Sequence, residues 1–414
     1  MNLAFCRGAL GVALAGAIAC SSTTESDGPP PLLTALPRSL SAGEVKLVAA
    51  SNQFGFDLLR EIRKTAATEN VFLSPVSASM ALGMALHGAA GTTFDGMRTA
   101  LRLGTASEEE ISAGYRTLLD LLKDLDPTSQ FEIANAIWAR AGFPFAETFL
   151  TAARSSFDAR VEALDFSAPT ALPTINGWVN DKTRGKIPTI LEEIPPDAVM
   201  YLMNAIYFKG SWRAAFDRAR TQPLPFQAAT GGAQTVPTMD LDVADLRVGG
   251  TADYRAVELL YGNGAFAMTI VLPHQGRTLA DVAATLDATS WGALVAGLHN
   301  GQAGLQLPKF RLEWKRLLND DLAAMGMGVA LSDALADFSK MLEPGAPRVF
   351  ISKVLQKSFV NVDEEGTEAA AVTSVEIRET SAPEIIRIDR PFLFAIRERL
   401  SGTILFLGQI NRIP

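Results

Sequence analysis

The chain has 414 residues, 48% of them hydrophobic and 20% charged, the composition of an ordinary globular protein with a sizeable core. Its formal net charge of −8 argues against nucleic acid or an anionic membrane surface as the principal partner. The two cysteines, Cys6 and Cys20, both lie at the start, and the histidines are only His87, His274 and His299. Disulfides, thiolate metal sites and histidine-rich metal sites are therefore not expected in the body of the chain, and no cofactor is implied.

Residues 1–19 read as a signal segment. Arg7 precedes an apolar run, GALGVALAGAIA, that is too short and too rich in Gly and Ala for a good membrane span. The junction Ala17-Ile18-Ala19-Cys20 resembles a bacterial lipoprotein signal, although that pattern usually has Leu where Ala17 stands. The resemblance implies lipidation of Cys20 and an exported outer-membrane or cell-surface lipoprotein, or an extracellular protein if Cys20 stays unmodified. Residues 20–41, rich in Ser, Thr and Pro, read as a flexible tether, and residues 42–414 as one folded domain.

Apolar spacing predicts a helix from about Ser41 to Ala66, then a short strand at Asn70 to Leu73. Ser74 and Pro75 suit the cap and first turn of a buried, small-residue helix that carries His87, whose expected role is packing. Ser107 to Leu125 predicts an amphipathic helix with three glutamates in its first turn. Strands are expected at Phe131–Arg140, Ala159–Phe166 and Ala198–Trp212, with helices near Phe145–Phe157 and Pro173–Gly185 between them. Beyond Trp212 the pattern is mostly strand, with helices expected near Leu279–Leu298 and Lys315–Met325. Strands close the chain at Val349–Val362, Phe392–Arg397 and Thr403–Ile410. Helices dominate the first half and strands the second, so the expected class is α+β.

One connection stands out, from Val360 to Pro383. It is long for a loop, yet its middle carries the strand formers Val372, Thr373, Val375 and Ile377. Read at period two from Thr367, one face is Thr367, Ala369, Ala371, Thr373, Val375 and Ile377, with no charge on it. The charges Glu368, Glu376 and Arg378 fall on the other face. Periodicity alone leaves a solvated loop or a short helix open.

Motifs of enzymatic chemistry are not found. There is no Gly-x-Ser-x-Gly elbow, Gly262-Asn263-Gly264 suits a hairpin turn, and Gly326-Met327-Gly328 suits a helix end. The expectation is that the chain is not an enzyme.

Several segments, in order, resemble the serpins. NVFLSPVSASMALGMALHGAAGTT, FEIANAIWAR, INGWVNDKTRGKIPTIL, AVMYLMNAIYFKGSW, LQLPKFRLEW, VNVDEEGTEAAAVTSV and RPFLFAIRERLSGTILFLGQINRIP carry the likeness from about Val45 to Ile413. The resemblance implies three β-sheets, about nine helices and an exposed reactive-centre loop. It implies an inhibitor of serine-type endopeptidases that is cleaved in that loop and then inserts it into the main sheet, trapping the protease. Serpins are themselves a standard instance of strand insertion and stored-strain release. A non-inhibitory surface binding protein and an inhibitor of papain-like cysteine proteases are the alternatives.

Carried over residue by residue, the hinge is Glu364, Glu365, Gly366, Thr367, Glu368, Ala369, Ala370 and Ala371. The inserting face is the uncharged one, Thr367 to Ile377. Family spacing places the cleaved bond at Thr380–Ser381, with Arg378–Glu379 as the alternative. Thr380 suits an elastase-like or subtilisin-like protease and Arg378 a trypsin-like one. Ser74, Ser77 and Asn204 match the shutter beneath the opening sheet, and Gln356 stands where the family often has His. Trp212 matches the breach at the loop's point of entry. The helix from Ser107 matches one that binds heparin in some relatives, but it holds only Arg116 and Lys123 against five acids, so no polyanion partner is expected. The expected state is a monomer, held at a membrane only through a lipid anchor.

Overall fold

The computed structural model describes residues 29–367 and 384–414. In chain order the helices are α1 (Ala42–Thr65), α2 (Pro75–Gly88), α3 (Gly91–Ala100), α4 (Glu108–Lys123), α5 (Glu147–Phe157), α6 (Ala171–Lys182), α7 (Leu279–Thr285), α8 (Ala288–Ala296) and α9 (Asn319–Leu322). The first strands are β1 (Val71–Leu73), β2 (Gln130–Arg140), β3 (Ala159–Leu164), β4 (Met200–Ser211) and β5 (Gln222–Gln227). Then come β6 (Ala233–Gly250), β7 (Tyr254–Leu260), β8 (Phe266–Pro273), β9 (His299–Pro308) and β10 (Phe310–Leu317). The last are β11 (Leu355–Asp363), β12 (Gly366–Thr367), β13 (Glu384–Arg387), β14 (Phe392–Glu398) and β15 (Ile404–Ile410). The fold is α+β.

The main sheet runs β10-β11-β12-β4-β2-β3. The remaining strands join as β1-β15-β14-β8-β7-β6-β9-β13, with β5 beside β6. Two of the three expected sheets share the 18-residue β6, which shifts register between Leu241 and Ala244, so hydrogen bonding links them into one network. The large core lies where α1 and α2 meet these sheets, and β8, β14 and β15 are buried along their whole length. A smaller core sits beneath α6, where Ile175, Trp178 and Val179 cover Trp138, Met203 and Ala205 of the main sheet.

Local chemistry accounts for the helix starts. Ser41 with Glu44, and Ser107 with Glu110, form capping boxes. Ser74 caps α2, with Pro75 in the first turn.

Several boundaries differ from expectation. Lys315–Leu317 ends strand β10, and only Asn319–Leu322 is α-helical, because Leu312 and Trp314 alternate inward across a sheet pair with β11. Strand β11 begins at Leu355, not Val349. The helix expected over Leu279–Leu298 breaks at Leu286, since Asp287 caps a second helix. Helix α6 ends at Lys182, short of Gly185. Residues 30–40 of the expected tether lie against the domain, with Leu33, Leu36 and Leu40 packed on the large core. Burial of the three leucines outweighs the Ser/Pro composition of the segment as a whole.

Candidate functional site

Strands β4 and β11 end at the same corner of the main sheet. The chain leaves β11 at Asp363, turns at Glu364 and Glu365, and returns as β12 between the two strands. Gly366 pairs with Asp363 and Ser211, and Thr367 with Val362 and Gly210, antiparallel on both sides. Gly366 has φ +149, and a Cβ there would lie 2.0 Å from the Gly210 carbonyl oxygen. Only glycine fits. Thr367 is 3% exposed, and its hydroxyl shares a 2.8 Å hydrogen bond with the hydroxyl of Tyr261, a residue fully buried in the large core.

The turn is held from three sides. Trp212 stacks on Tyr261 at 4.5 Å between ring centroids, and its Nε1–H donates to the Asp363 carbonyl at 2.9 Å. Its backbone N–H donates to the Glu365 carbonyl at 2.8 Å, and that of Phe216 to Glu364 at 3.0 Å. The Glu364 carboxylate is buried and accepts from Lys309 Nζ at 2.7 Å and from the Thr221 hydroxyl at 2.7 Å. Burial pushes its pKa up, but the Lys309 ammonium and the Thr221 hydroxyl outweigh it, leaving the group below the usual carboxylate range. Glu365 pairs with Arg218.

Among the described residues β12 is the sole bridge between β4 and β11, and it is two residues long. Below Thr367 the strands are separated by a small cavity lined by Ile206 and Phe208 of β4, by Val360 and Asn361 of β11, and by Ile187 after α6. The gap between β4 and β11 at this point is the slot.

Further down lies a polar cluster. Gln356 clamps the Ser74 backbone, donating from Nε2 to the carbonyl at 2.9 Å and accepting from the N–H at 3.3 Å. The Ser74 hydroxyl donates to the Leu405 carbonyl at 2.7 Å. Ser77 donates to the Asn204 side chain. Asn204 in turn donates to Asn135 at 2.6 Å, and Asn135 to the Phe157 carbonyl at 2.6 Å. Thus Ser77 and Asn204 share one chain of bonds, and Ser74 and Gln356 another, both meeting at the start of α2. The Ser77–Asn204 and Ser74–Gln356 links join residues expected from the sequence, and the others reach Leu405, Asn135 and Phe157. Asn135 was the findable one: a lone amide in the apolar run FEIANAIWAR needs a partner once buried. Tyr261, Lys309 and Thr221 carried no local signal.

The remaining calls fall elsewhere. On α4, Arg116 and Lys123 both pair with Asp158. His87 sits between α2 and α4 against Ser112, its pKa lowered by burial, and away from the slot. Among the described residues no group of His, Cys, Asp or Glu could hold a metal ion. Glu368, Ala369, Ala370, Ala371, Thr373, Val375, Ile377, Arg378, Glu379, Thr380, Ser381 and Cys20 lie outside the described residues.

Comparison with known proteins decides the family. The model of the family described as Serpin (serine protease inhibitor) matches residues 49–413. The chain belongs to the serpins. It is 34% identical to Iripin-8 of Ixodes ricinus over 405 residues, covering 92% of this chain and 98% of that one. It is 32% identical to the leukocyte elastase inhibitor of Homo sapiens, covering 88% and 99%. The crystal structure of the thermophilic serpin tengpin in the native state superposes with a TM-score of 0.81 at 28% identity, over 93% of this chain and all of that one. As a serpin, the chain has relatives named as protease inhibitors.

Proposed function

We propose that this serpin is a suicide inhibitor of serine proteases that traps its target by inserting residues 368–377 below Thr367. The observation that carries the reading is Thr367 itself, buried between β4 and β11 and paired with both, with a small cavity between the same strands just below it. Extending the pairing of Thr367 with Gly210 and Val362 sets Ala369 opposite Phe208 and Val360, and Thr373 opposite Asn204 and Gln356. The small residues then meet the apolar part of the slot, and Thr373, the mid-strand hydroxyl on that face, meets the polar cluster. A charge on that face would be buried without a partner, at a cost of several kcal/mol. Proline, which would remove a ladder donor, does not occur between Gly366 and Arg378.

The bait is assigned to Thr380–Ser381, which suits elastase-like or subtilisin-like targets, and relatives named as leukocyte elastase inhibitors support that class. A panel of elastase, subtilisin, trypsin and papain tests the reading. An inhibitor gives an SDS-resistant complex and releases a C-terminal fragment beginning at Ser381. Cleavage without a complex for every protease would make the chain a non-inhibitory surface protein, a complex with papain alone would transfer the reading to cysteine proteases, and a fragment beginning at Glu379 would move the bait to Arg378. The protein is further assigned to the cell exterior, through residues 1–19 and lipidation at Cys20.

A further inference from the structure

The end of the N-terminal tether is bound at the same corner as the hinge. The Pro30 carbonyl accepts from Arg213 Nη1 at 2.6 Å, and the same nitrogen reaches the Gly262 carbonyl at 3.0 Å. Leu33 N–H donates to the Asn263 carbonyl at 2.8 Å. The Leu33 carbonyl accepts from Arg399 Nη2 at 2.5 Å, while Arg399 Nε holds the Gly264 carbonyl at 2.7 Å. Gly264 has φ +77, and a Cβ there would lie 2.6 Å from a methyl of Leu32, so glycine makes room for the strap. At its far end Arg38 pairs with Glu44 at 2.6 Å and donates to the Thr117 carbonyl of α4 at 2.9 Å.

The turn that receives the strap also serves the slot. Tyr261 holds Thr367, Gly262 N–H donates to the Ser211 carbonyl at 2.9 Å, and Arg213 N–H donates to the Leu260 carbonyl at 2.8 Å. Arg213 lies two residues past the end of β4 and next to Trp212. Strand β12 already parts the ends of β4 and β11, so a longer strand enters by parting them further down, which turns the end of β4 against this turn. The strap ties that end, through Arg213, to Arg399 at the β14–β15 corner of the other sheet. It spans one element that must move and one that stays.

We propose that residues 30–40 form a cross-tie that slows opening of the β4–β11 slot, with Arg213 as its positioning residue. The proposal rests on the reading that the slot accepts a strand. Each hydrogen bond lost is worth roughly 1 kcal/mol, and the tie uses several, so its release is expected to speed opening by at least about fivefold.

The test needs no protease. A fluorescent peptide with the sequence of residues 367–378 is incubated with the full-length protein, and its stable incorporation is followed on native gels. Leu33→Pro removes the N–H to Asn263, Arg213→Gln removes the bond to Pro30, and the exposed Ala35→Ser is the control. The proposal predicts that both variants take up peptide at least about fivefold faster, that the control matches wild type, and that cleavage of the loop by subtilisin is unchanged in rate. Uptake within twofold of wild type in both variants, or equal acceleration in Ala35→Ser, overturns it. No uptake by any form overturns the slot reading as well, so the two failures are distinguishable.

Discussion

The hydroxyls of Tyr261 and Thr367 lie 2.8 Å apart, fully enclosed, 106 residues from each other in the chain. This one contact ties the hinge to the large core. Tyr261→Phe leaves the Thr367 hydroxyl without that partner, at an expected cost of about 1 to 2 kcal/mol. Adding Thr367→Val removes the orphaned group and restores most of the loss. Urea unfolding of the two single variants and the double variant measures the coupling.

Glu364 sets a pH dependence. Its folded pKa is depressed, so its contribution is fully present above the ordinary carboxylate value of about 4.3 and is lost as pH falls through the lower folded value. Glu364→Gln should lower stability at pH 7 by about 1 to 2 kcal/mol through loss of the Lys309 ion pair. The gap between variant and wild type should close as the pH is taken down through the acid range. Unfolding midpoints at several pH values check this, and a gap that widens toward acid would refute the assignment.

Gln356 is the shutter residue that departs from the family's usual histidine. It meets both backbone groups of Ser74; the carbonyl keeps the Ala78 N–H at 3.1 Å, so Gln356→Ala strands the buried Ser74 N–H. A loss of about 1 to 3 kcal/mol is expected in urea unfolding. Gln356→His should recover part of it, since imidazole can offer only one donor and one acceptor in a different geometry.

The parts of the site that obey local rules were legible. Thr367 falls on the uncharged face seen at period two, and Ser74-Pro75 announces a helix start; the rest of that face lies outside the described residues. Gly366 falls in the hinge expected from the resemblance, and the structure gives the reason for glycine: the Gly210 carbonyl leaves no room for a Cβ. The partners were not legible. Tyr261, Lys309 and Thr221 reach the hinge from 106, 55 and 143 residues away, and no spacing rule connects them. The strap was misread for the opposite reason. Its Ser- and Pro-rich composition masked three leucines that pack on the large core.

The anchor has its own test. Cys20→Ala should move the protein from the membrane fraction to the soluble exported fraction, and unchanged fractionation would argue against lipidation. Nine residues lie between Cys20 and Pro30, a reach of at most ~35 Å, so an anchored domain would hold its hinge corner near the surface.

Thr367→Arg tests the central claim most directly. A guanidinium in Thr367's place against Tyr261 would be buried without a partner, at a cost of several kcal/mol, so it should expel the hinge and keep the strand from entering. Wild type and variant are each mixed with subtilisin and run on a denaturing gel. The account predicts equal rates of loop cleavage, an SDS-resistant complex for wild type, and only cleaved inhibitor with free protease for the variant. A Thr367→Arg protein that still forms the complex in full yield would contradict it.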